Sequence, residues 1–299
     1  RFMAQPAHWR VMADLFALSL FAGLYSVPMY ALIQSRCPAT HRARIIAANN
    51  IMNALFMIAS ALIVGALLKS FTVPQVFLAL GVANALVAAY IFLLVPEYLL
   101  RFVAWVASRI VYRFKVTGDE HIPTEGAAIL VANHVSFIDA VLLMAASPRP
   151  IRFIMDHQIF RIPVLGWMFK LGKAIPIAPR TVDAVVYDNA FAQARRVLDD
   201  GDLLCIFPEG GITKDGTLQP FKGGVMKVLE THPVPVVPIA LTNLWGSYFS
   251  RAGHGGRAMT QPFRRGLFSR VGLVAGTPLA AAEVTPERLR ERVAALLAA

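Results

Sequence analysis

The chain predicts an α-helical transmembrane segment followed by an α/β domain whose mixed sheet is covered by helices. Three observations carry that expectation. Residues 1–96 hold six Lys/Arg and a single acid, Asp14, whereas the rest of the chain holds 23 basic and 17 acidic side chains. Three uncharged runs, 15–35, 45–68 and 70–96, lie in the first part. Each has roughly 20 or more residues, enough for a helix to cross a hydrocarbon core about 30 Å thick. After Pro96, short apolar runs alternate with amphipathic ones, the pattern of a sheet carrying helices on its faces. With 57% of its 299 residues hydrophobic, the chain is too apolar for an ordinary soluble domain.

In the first part, Ala61-x-x-x-Gly65 and Gly81-x-x-x-Ala85 suit close helix contacts within a membrane. Asn49 and Asn53 stack one turn apart and need a bundle or cavity, because lipid cannot satisfy amides. The link between the first two runs holds Arg36, Arg42 and Arg44, while the next holds only Lys69. The positive-inside bias therefore places the first link and the α/β part in the cytoplasm. Residues 97–115 predict a linker helix, with Leu99, Leu100, Val103, Val106, Ile110 and Phe114 at helical spacing and Arg101, Arg109 and Arg113 on another side. It is either an interfacial helix with Trp105 near the headgroups or a helix packed on the domain with a solvated basic face. The domain at 116–299 then predicts strands from 116, at 128–132, 151–155, 174–177, 202–207, 234–240 and 271–275. Helices are expected at 138–146, 183–198, 224–229 and 286–297, and 253–256 as a loop.

The turn between the 128–132 strand and the helix after it carries Asn133-His134-Val135-Ser136-Phe137-Ile138-Asp139. A neutral imidazole beside a carboxylate is what general-base chemistry on an alcohol needs. The carboxylate fixes the ring tautomer and stabilises the imidazolium that forms. On a regular helix five residues turn through roughly 500°, leaving the two side chains about 140° apart. They meet only if His134 precedes the first helical turn. From spacing alone, a capping histidine and a surface aspartate remain the alternative. Ser136 is either the N-cap of the helix or a polar contact to a donor.

A second apolar strand ends in Phe207-Pro208-Glu209-Gly210-Gly211-Ile212-Thr213. Around the two motifs, Ala174-Ile175-Pro176-Ile177-Ala178-Pro179-Arg180, Phe221-Lys222-Gly223-Gly224 and Val234-Pro235-Val236-Val237-Pro238-Ile239 follow in order. Together these segments resemble the glycerophosphate and lysophospholipid acyltransferase family over residues 115–280. The resemblance implies an α/β acyltransferase domain. It implies a membrane-bound enzyme that moves a fatty acyl group from an acyl thioester to the free glycerol hydroxyl of a lysophospholipid, either lysophosphatidylethanolamine-like or lysophosphatidic acid. His134 would be the catalytic base and Asp139 its orienting partner. Asn133, Ser136, Arg180, Glu209, Gly210, Thr213 and Lys222 would bind substrate, with Arg180 on a phosphate. Glu209 would hold the acceptor hydroxyl; a helix-cap carboxylate is the plainer reading of it.

The family motif often continues Thr-Arg-Ser where this chain has Gly211-Ile212-Thr213. The missing arginine favours a phosphodiester head group, unless Lys214 or Lys222 replaces it. No cofactor is implied, since acyl-CoA or an acyl carrier protein thioester is a co-substrate. Arg152, Arg161, Lys170 and Lys173 are either a docking face for that donor or a solvated surface. Trp167, Met168 and Phe169 are expected in the core rather than along an acyl channel.

Residues 11–96 resemble the last three helices of a major-facilitator transporter of the lysophospholipid type. Ala39-Thr40-His41-Arg42-Ala43-Arg44, leading into Ile45-Ile46-Ala47-Ala48-Asn49-Asn50, carries that likeness. Three helices cannot make an alternating-access transporter. The expectation is therefore a multi-pass anchor in a bacterial inner membrane, cut from a longer transporter–acyltransferase fusion. The alternative is a transporter fragment with an accessory or inactive acyltransferase domain. A thioesterase or lipase is disfavoured, because no G-x-S-x-G nucleophile elbow occurs. Cys37 and Cys205 fall in different parts, no Cys/His spacing suggests zinc, and His232 reads as surface. The net charge of +11 points to anionic lipid rather than nucleic acid.

Overall fold

The structure, a computed structural model, describes residues 5–37, 40–94, 96–163, 165–247, 249–250, 252 and 268–298. The chain divides into two compact units, residues 1–88 and 89–299. The first consists of α1 (Pro6–Arg36), α2 (Arg42–Leu67) and most of α3 (Val73–Leu94). Among the described residues, Arg42–Leu67 and Val73–Ile91 are long and apolar enough to cross a membrane. The first expected run lies within α1, where several side chains fall outside the described residues. No residue of α2 is buried, and Leu55, Phe56, Met57, Ile58 and Leu62 all stand exposed. A core helix of a soluble domain buries such side chains on at least one face. Asn53 donates from Nδ2 to the Tyr30 hydroxyl at 2.8 Å, which partners one of the two stacked amides.

The second unit opens with α4 (Pro96–Val111), which packs on α5 (Asp139–Ala146). The strands are β1 (Tyr112–Thr117), β2 (Ala128–Ala132), β3 (Ile151–Asp156), β4 (Ile175–Ile177), β5 (Leu203–Ile206), β6 (Val236–Thr242) and β7 (Ser269–Ala275). Between them run α6 (Leu165–Leu171), α7 (Ala184–Asp199) and α8 (Gly224–Leu229), and α9 (Pro286–Ala298) closes the described chain. One seven-stranded sheet has the order β1-β7-β6-β2-β5-β3-β4. β2 is flanked in parallel by β5 and β6, and β7 runs antiparallel to β6. The sheet is mixed, as predicted.

Every residue of β2 and β5 is buried, as expected of central parallel strands covered on both faces. Alternate side chains feed two cores. Leu130 and Cys205 join Leu142 and Leu143 of α5 on one face. Ile129, Val131, Leu204 and Ile206 join Ala190 and Ala194 of α7, Val225 and Val228 of α8 and Val293 of α9 on the other.

Two expectations need correction, on Phe114 and on Trp167, and the face that α4 turns to the domain is defined. The linker helix ends at Val111, and Phe114 belongs to β1. There the alternation of buried Tyr112 and Phe114 with exposed Arg113 and Lys115 sets a strand period of two in place of a further helical turn. In α4 the inward face is formed by the small residues Ala104 and Ser108. Phe102, Val103, Trp105 and Ile110 face outward, with the Arg109 guanidinium 5.3 Å from the Trp105 ring centroid. Finally, the 165–171 stretch forms α6, and its Trp167 is 64% exposed rather than in the core. The loop expected at 253–256 lies outside the described residues.

Candidate active site

β2 and β5 are neighbours in parallel register, Ala128 opposite Leu203. The turn after β2 and the loop after β5 therefore emerge side by side at the carboxyl edge, where open α/β sheets bind ligands. α5 begins only at Asp139, so His134 precedes the helix, as the rotation argument required. Its Nδ1 lies 2.8 Å from Asp139 Oδ2. A carboxylate can only accept, so Nδ1 carries the proton and Nε2 presents its lone pair. The ring stacks on Phe207 at 4.3 Å between centroids and 19° between planes. The His134 side chain keeps 22% of its surface exposed, while that of Asp139 is fully buried.

Asp139 does more than orient the ring. The same Oδ2 accepts the backbone N–H of Val135 at 2.6 Å and of Ser136 at 2.9 Å. Its Oδ1 is buried with no hydrogen-bond partner among the described residues. The carboxylate thus closes the turn and aims the imidazole with one oxygen.

The second motif grips the histidine by its main chain. Glu209 Oε1 accepts the His134 N–H at 2.7 Å, and Oε2 accepts the Gln219 N–H at 2.9 Å. Each oxygen retains a second lone pair. Burial raises the Glu209 pKa above its ordinary 4.5, and the two backbone donors oppose that shift without cancelling it. Thr213 donates its N–H to the His134 carbonyl at 2.8 Å. Its hydroxyl lies 2.9 Å from the Thr217 carbonyl and 3.0 Å from Asp215 Oδ1, and it accepts the Gly216 N–H. Thr213 is buried and braces His134. Gly210 turns this loop at φ +73°, and a Cβ there would meet the Lys222 ammonium at 2.5 Å.

The remaining expected residues are placed as follows. The buried Asn133 carboxamide accepts from the Leu241 N–H at 2.7 Å and donates to the Leu241 carbonyl at 3.1 Å, extending the β2–β6 ladder by a side chain. Ser136 does not cap α5, whose N-cap position is Ile138. The serine hydroxyl is buried and accepts the Ile138 N–H at 3.3 Å, a bond within the turn before α5 begins. Lys222 is exposed beside Gly210. Arg180 is exposed just beyond β4. That strand is three positions from β2, roughly 14 Å at ordinary strand spacing.

Of the four basic residues expected at a donor face or on a solvated surface, Arg152 and Lys173 are ion-paired. Arg152 is 9% exposed and pairs with Glu97 and Asp202, and Lys173 pairs with Glu97. Glu97 and Asp202 match these cations at the opposite edge of the sheet, around the starts of β3, β4 and β5. Arg161 and Lys170 remain exposed. Cys205 is fully buried and its thiol pKa is pushed far up by that burial, so no thiolate nucleophile lies under the site. Beside Glu209 a cavity of about 280 Å³ is lined by Asn133, Leu218, Leu241, Trp245 and Leu297 among others. Among the described residues no cluster of three or more His, Cys, Asp and Glu could hold a metal ion.

Sequence reasoning missed Phe207 as the ring's platform and the Asp215–Gln219 stretch behind Glu209. An apolar residue directly before Pro208 was the signal for the first. No local signal marks the second.

Residues 113–242 match the family described as Acyltransferase. A chloroplastic 1-acyl-sn-glycerol-3-phosphate acyltransferase of Brassica napus is 32% identical over 131 residues, 44% of this chain and 37% of that protein. A 1-acyl-sn-glycerol-3-phosphate acyltransferase of Borreliella burgdorferi is 27% identical over 128 residues, 43% of this chain and 50% of that one. The chain thus spans half or less of the length of these relatives. The crystal structure of the 1-acyl-sn-glycerophosphate acyltransferase of Thermotoga maritima shares the fold, with a TM-score of 0.52 and 24% identity, covering 67% of this chain and 77% of that one. The segment that matches the family, residues 113–242, lies within the unit whose fold that crystal structure shares.

Proposed function

We propose that this chain is a membrane-bound O-acyltransferase that transfers a fatty acyl group from an acyl thioester to the free glycerol hydroxyl of a lysophospholipid. The observation that carries this reading is the His134–Asp139 pair at 2.8 Å, with no hydrogen bond to Nε2 among the described residues, at the carboxyl edge of β2. Nε2 takes the hydroxyl proton as the acceptor oxygen attacks the thioester carbonyl, and buried Asp139 stabilises the imidazolium. The tetrahedral intermediate collapses by breaking the carbon–sulfur bond, and the proton passes from Nε2 to the departing thiolate. The names of the similar proteins favour lysophosphatidate as acceptor. Lysophosphatidylethanolamine is the second acceptor to test, because Gly211-Ile212-Thr213 lacks the arginine common in the family. Lys222, Lys214 and Arg180 are cations that could serve a phosphate. The donor is acyl-CoA or acyl carrier protein.

The first unit serves as the anchor, with α2 and α3 as spans. The outward Phe102, Val103, Trp105 and Ile110 of α4 rest at the headgroup level, with Arg109 paired to lipid phosphate. The charge of the 36–44 link puts the acyltransferase unit on the cytoplasmic side.

The test is acyl transfer by membranes containing the chain, wild type against His134→Ala, with both acceptors and both donors offered separately. Product from the wild type and a loss of about 10⁴-fold or more in the variant is expected. No wild-type product with any pair would reject the reading in favour of an inactive accessory domain.

A further inference from the structure

Asp215 has no part in the chemistry described so far, yet it ties together the loop that holds His134. Its Oδ1 accepts the Thr217 N–H at 2.9 Å, the Thr217 hydroxyl at 2.8 Å and the Gln219 side-chain amide at 3.1 Å. The Thr213 hydroxyl lies 3.0 Å from the same oxygen. These donors, the Thr217 N–H foremost, hold the Asp215 carboxyl below its ordinary range, so the accepting form prevails at neutral pH. The knot turns at Gly216, where φ is +85° and a Cβ would fall 2.7 Å from the Trp245 ring.

The two ends of this knot are the residues whose backbone N–H groups reach the histidine. Thr213 donates to the His134 carbonyl directly. Gln219 donates to Glu209, whose other oxygen takes the His134 N–H. A closed circuit therefore runs from the His134 carbonyl through Thr213, Asp215, Gln219 and Glu209 back to the His134 amide. We propose that Asp215 is a positioning residue that acts through this circuit to fix the His134 main chain and so keep Nε2 aimed at the reacting hydroxyl. The proposal rests on the acyl-transfer reading above. Asp215 itself touches no reacting atom; it sets the spacing between the two N–H groups that do the holding.

The experiment uses the full chain in lipid vesicles and compares Asp215→Ala and Asp215→Asn with the wild type. Asparagine keeps an oxygen that accepts the same bonds; alanine does not. Asp215→Ala should lower kcat by roughly 10- to 100-fold, the penalty of a displacement near 1 Å, with KM for both substrates within about threefold. Asp215→Asn should restore the rate to within about threefold of the wild type, because the acceptor geometry is kept. In a His134→Ala background, Asp215→Ala should add nothing, as expected of two residues acting as one unit. Amide hydrogen exchange over 133–136 should quicken in Asp215→Ala and stay as in the wild type in Asp215→Asn.

An unchanged kcat, an effect confined to KM, equal loss in both variants, or an additive loss in the His134→Ala background would each overturn the proposal. If the wild type transfers no acyl group, the functional reading fails separately, and exchange alone decides on the circuit: quickening in alanine only upholds it, no quickening rejects it. If Asp215→Ala does not fold, Thr217→Val, which removes one hydroxyl donor to Oδ1, is subjected to the same tests.

Discussion

His134 is held in two different ways, and the contrast separates what a short motif specifies from what a fold must supply. Its ring is fixed by a side chain five positions away, through one bond to Asp139. Its main chain is fixed from the other side by a loop that follows a different strand, through Glu209 and Thr213. The ring contact sets the tautomer and the charge environment. The main-chain contacts set where the ring stands. Chemistry on this pattern needs both, and substitutions can take one away while leaving the other.

The largest effect should come from the ring side. Asp139→Asn removes the charge that stabilises the imidazolium, while its one amide oxygen can still take the three donors that Oδ2 takes now. A fall in kcat of about 10³-fold or more is expected, by analogy with the loss of an orienting aspartate in a catalytic triad. Single-turnover rates with a thermal midpoint as control would read it. A loss under tenfold with the midpoint unchanged would mean that the ring does not depend on this carboxylate.

Glu209→Gln should cut less deeply, because it acts on position only. One end of the carboxamide must now present a donor to a backbone N–H, so the clamp is half broken; a loss of roughly 10- to 100-fold in kcat is expected. The pH dependence sharpens the case. Since burial raises the Glu209 pKa above 4.5, the native state takes up a proton there at a higher pH than the unfolded chain does. In the window between 4.5 and that raised value, this group makes stability fall as pH rises. The carboxylate clamp moves the other way and is lost as pH falls through the same window. The wild type should therefore show an acid limb in kcat above pH 4.5 that Glu209→Gln lacks. The same limb in both proteins would assign the titration to another group.

The smallest effect on rate should follow Asn133→Ala. The variant strands the Leu241 N–H and carbonyl, at a cost of about 1–3 kcal/mol for buried groups left unpaired. The midpoint of unfolding should drop while KM for the acceptor stays put. A raised KM with an unchanged midpoint would instead place Asn133 in direct contact with substrate.

The same contrast accounts for what was legible beforehand. The 128–132 strand and the 224–229 helix were predicted with the bounds the structure shows, because apolar runs and turn residues mark them locally. The His134–Asp139 pair was legible because both residues belong to one turn. Thr213 and Glu209 could be named as site residues, but not as braces on His134. Backbone N–H groups leave no mark in the residue alphabet, and the pairing of β2 with β5 that brings them together is non-local. Arg152 misled for the opposite reason. Its charge is visible in the sequence, while Glu97, 55 positions earlier, and Asp202, which neutralise it, are identified only by the fold. In α4 the spacing left open whether the large apolar residues face the domain or a membrane interface; Ala104 and Ser108 face the domain, since α4 lies against α5 and small side chains permit the closer approach.

The outward apolar face of α4 has a practical side. Deleting the first unit to obtain a handy catalytic fragment starting near residue 97 would leave Phe102, Val103, Trp105 and Ile110 on its surface. Such a fragment should still need detergent and should clump without it. Polar replacements at those four positions, with Ala104 and Ser108 left alone, offer a route to a water-soluble form, because they change the outer stripe and leave the seam with α5 intact.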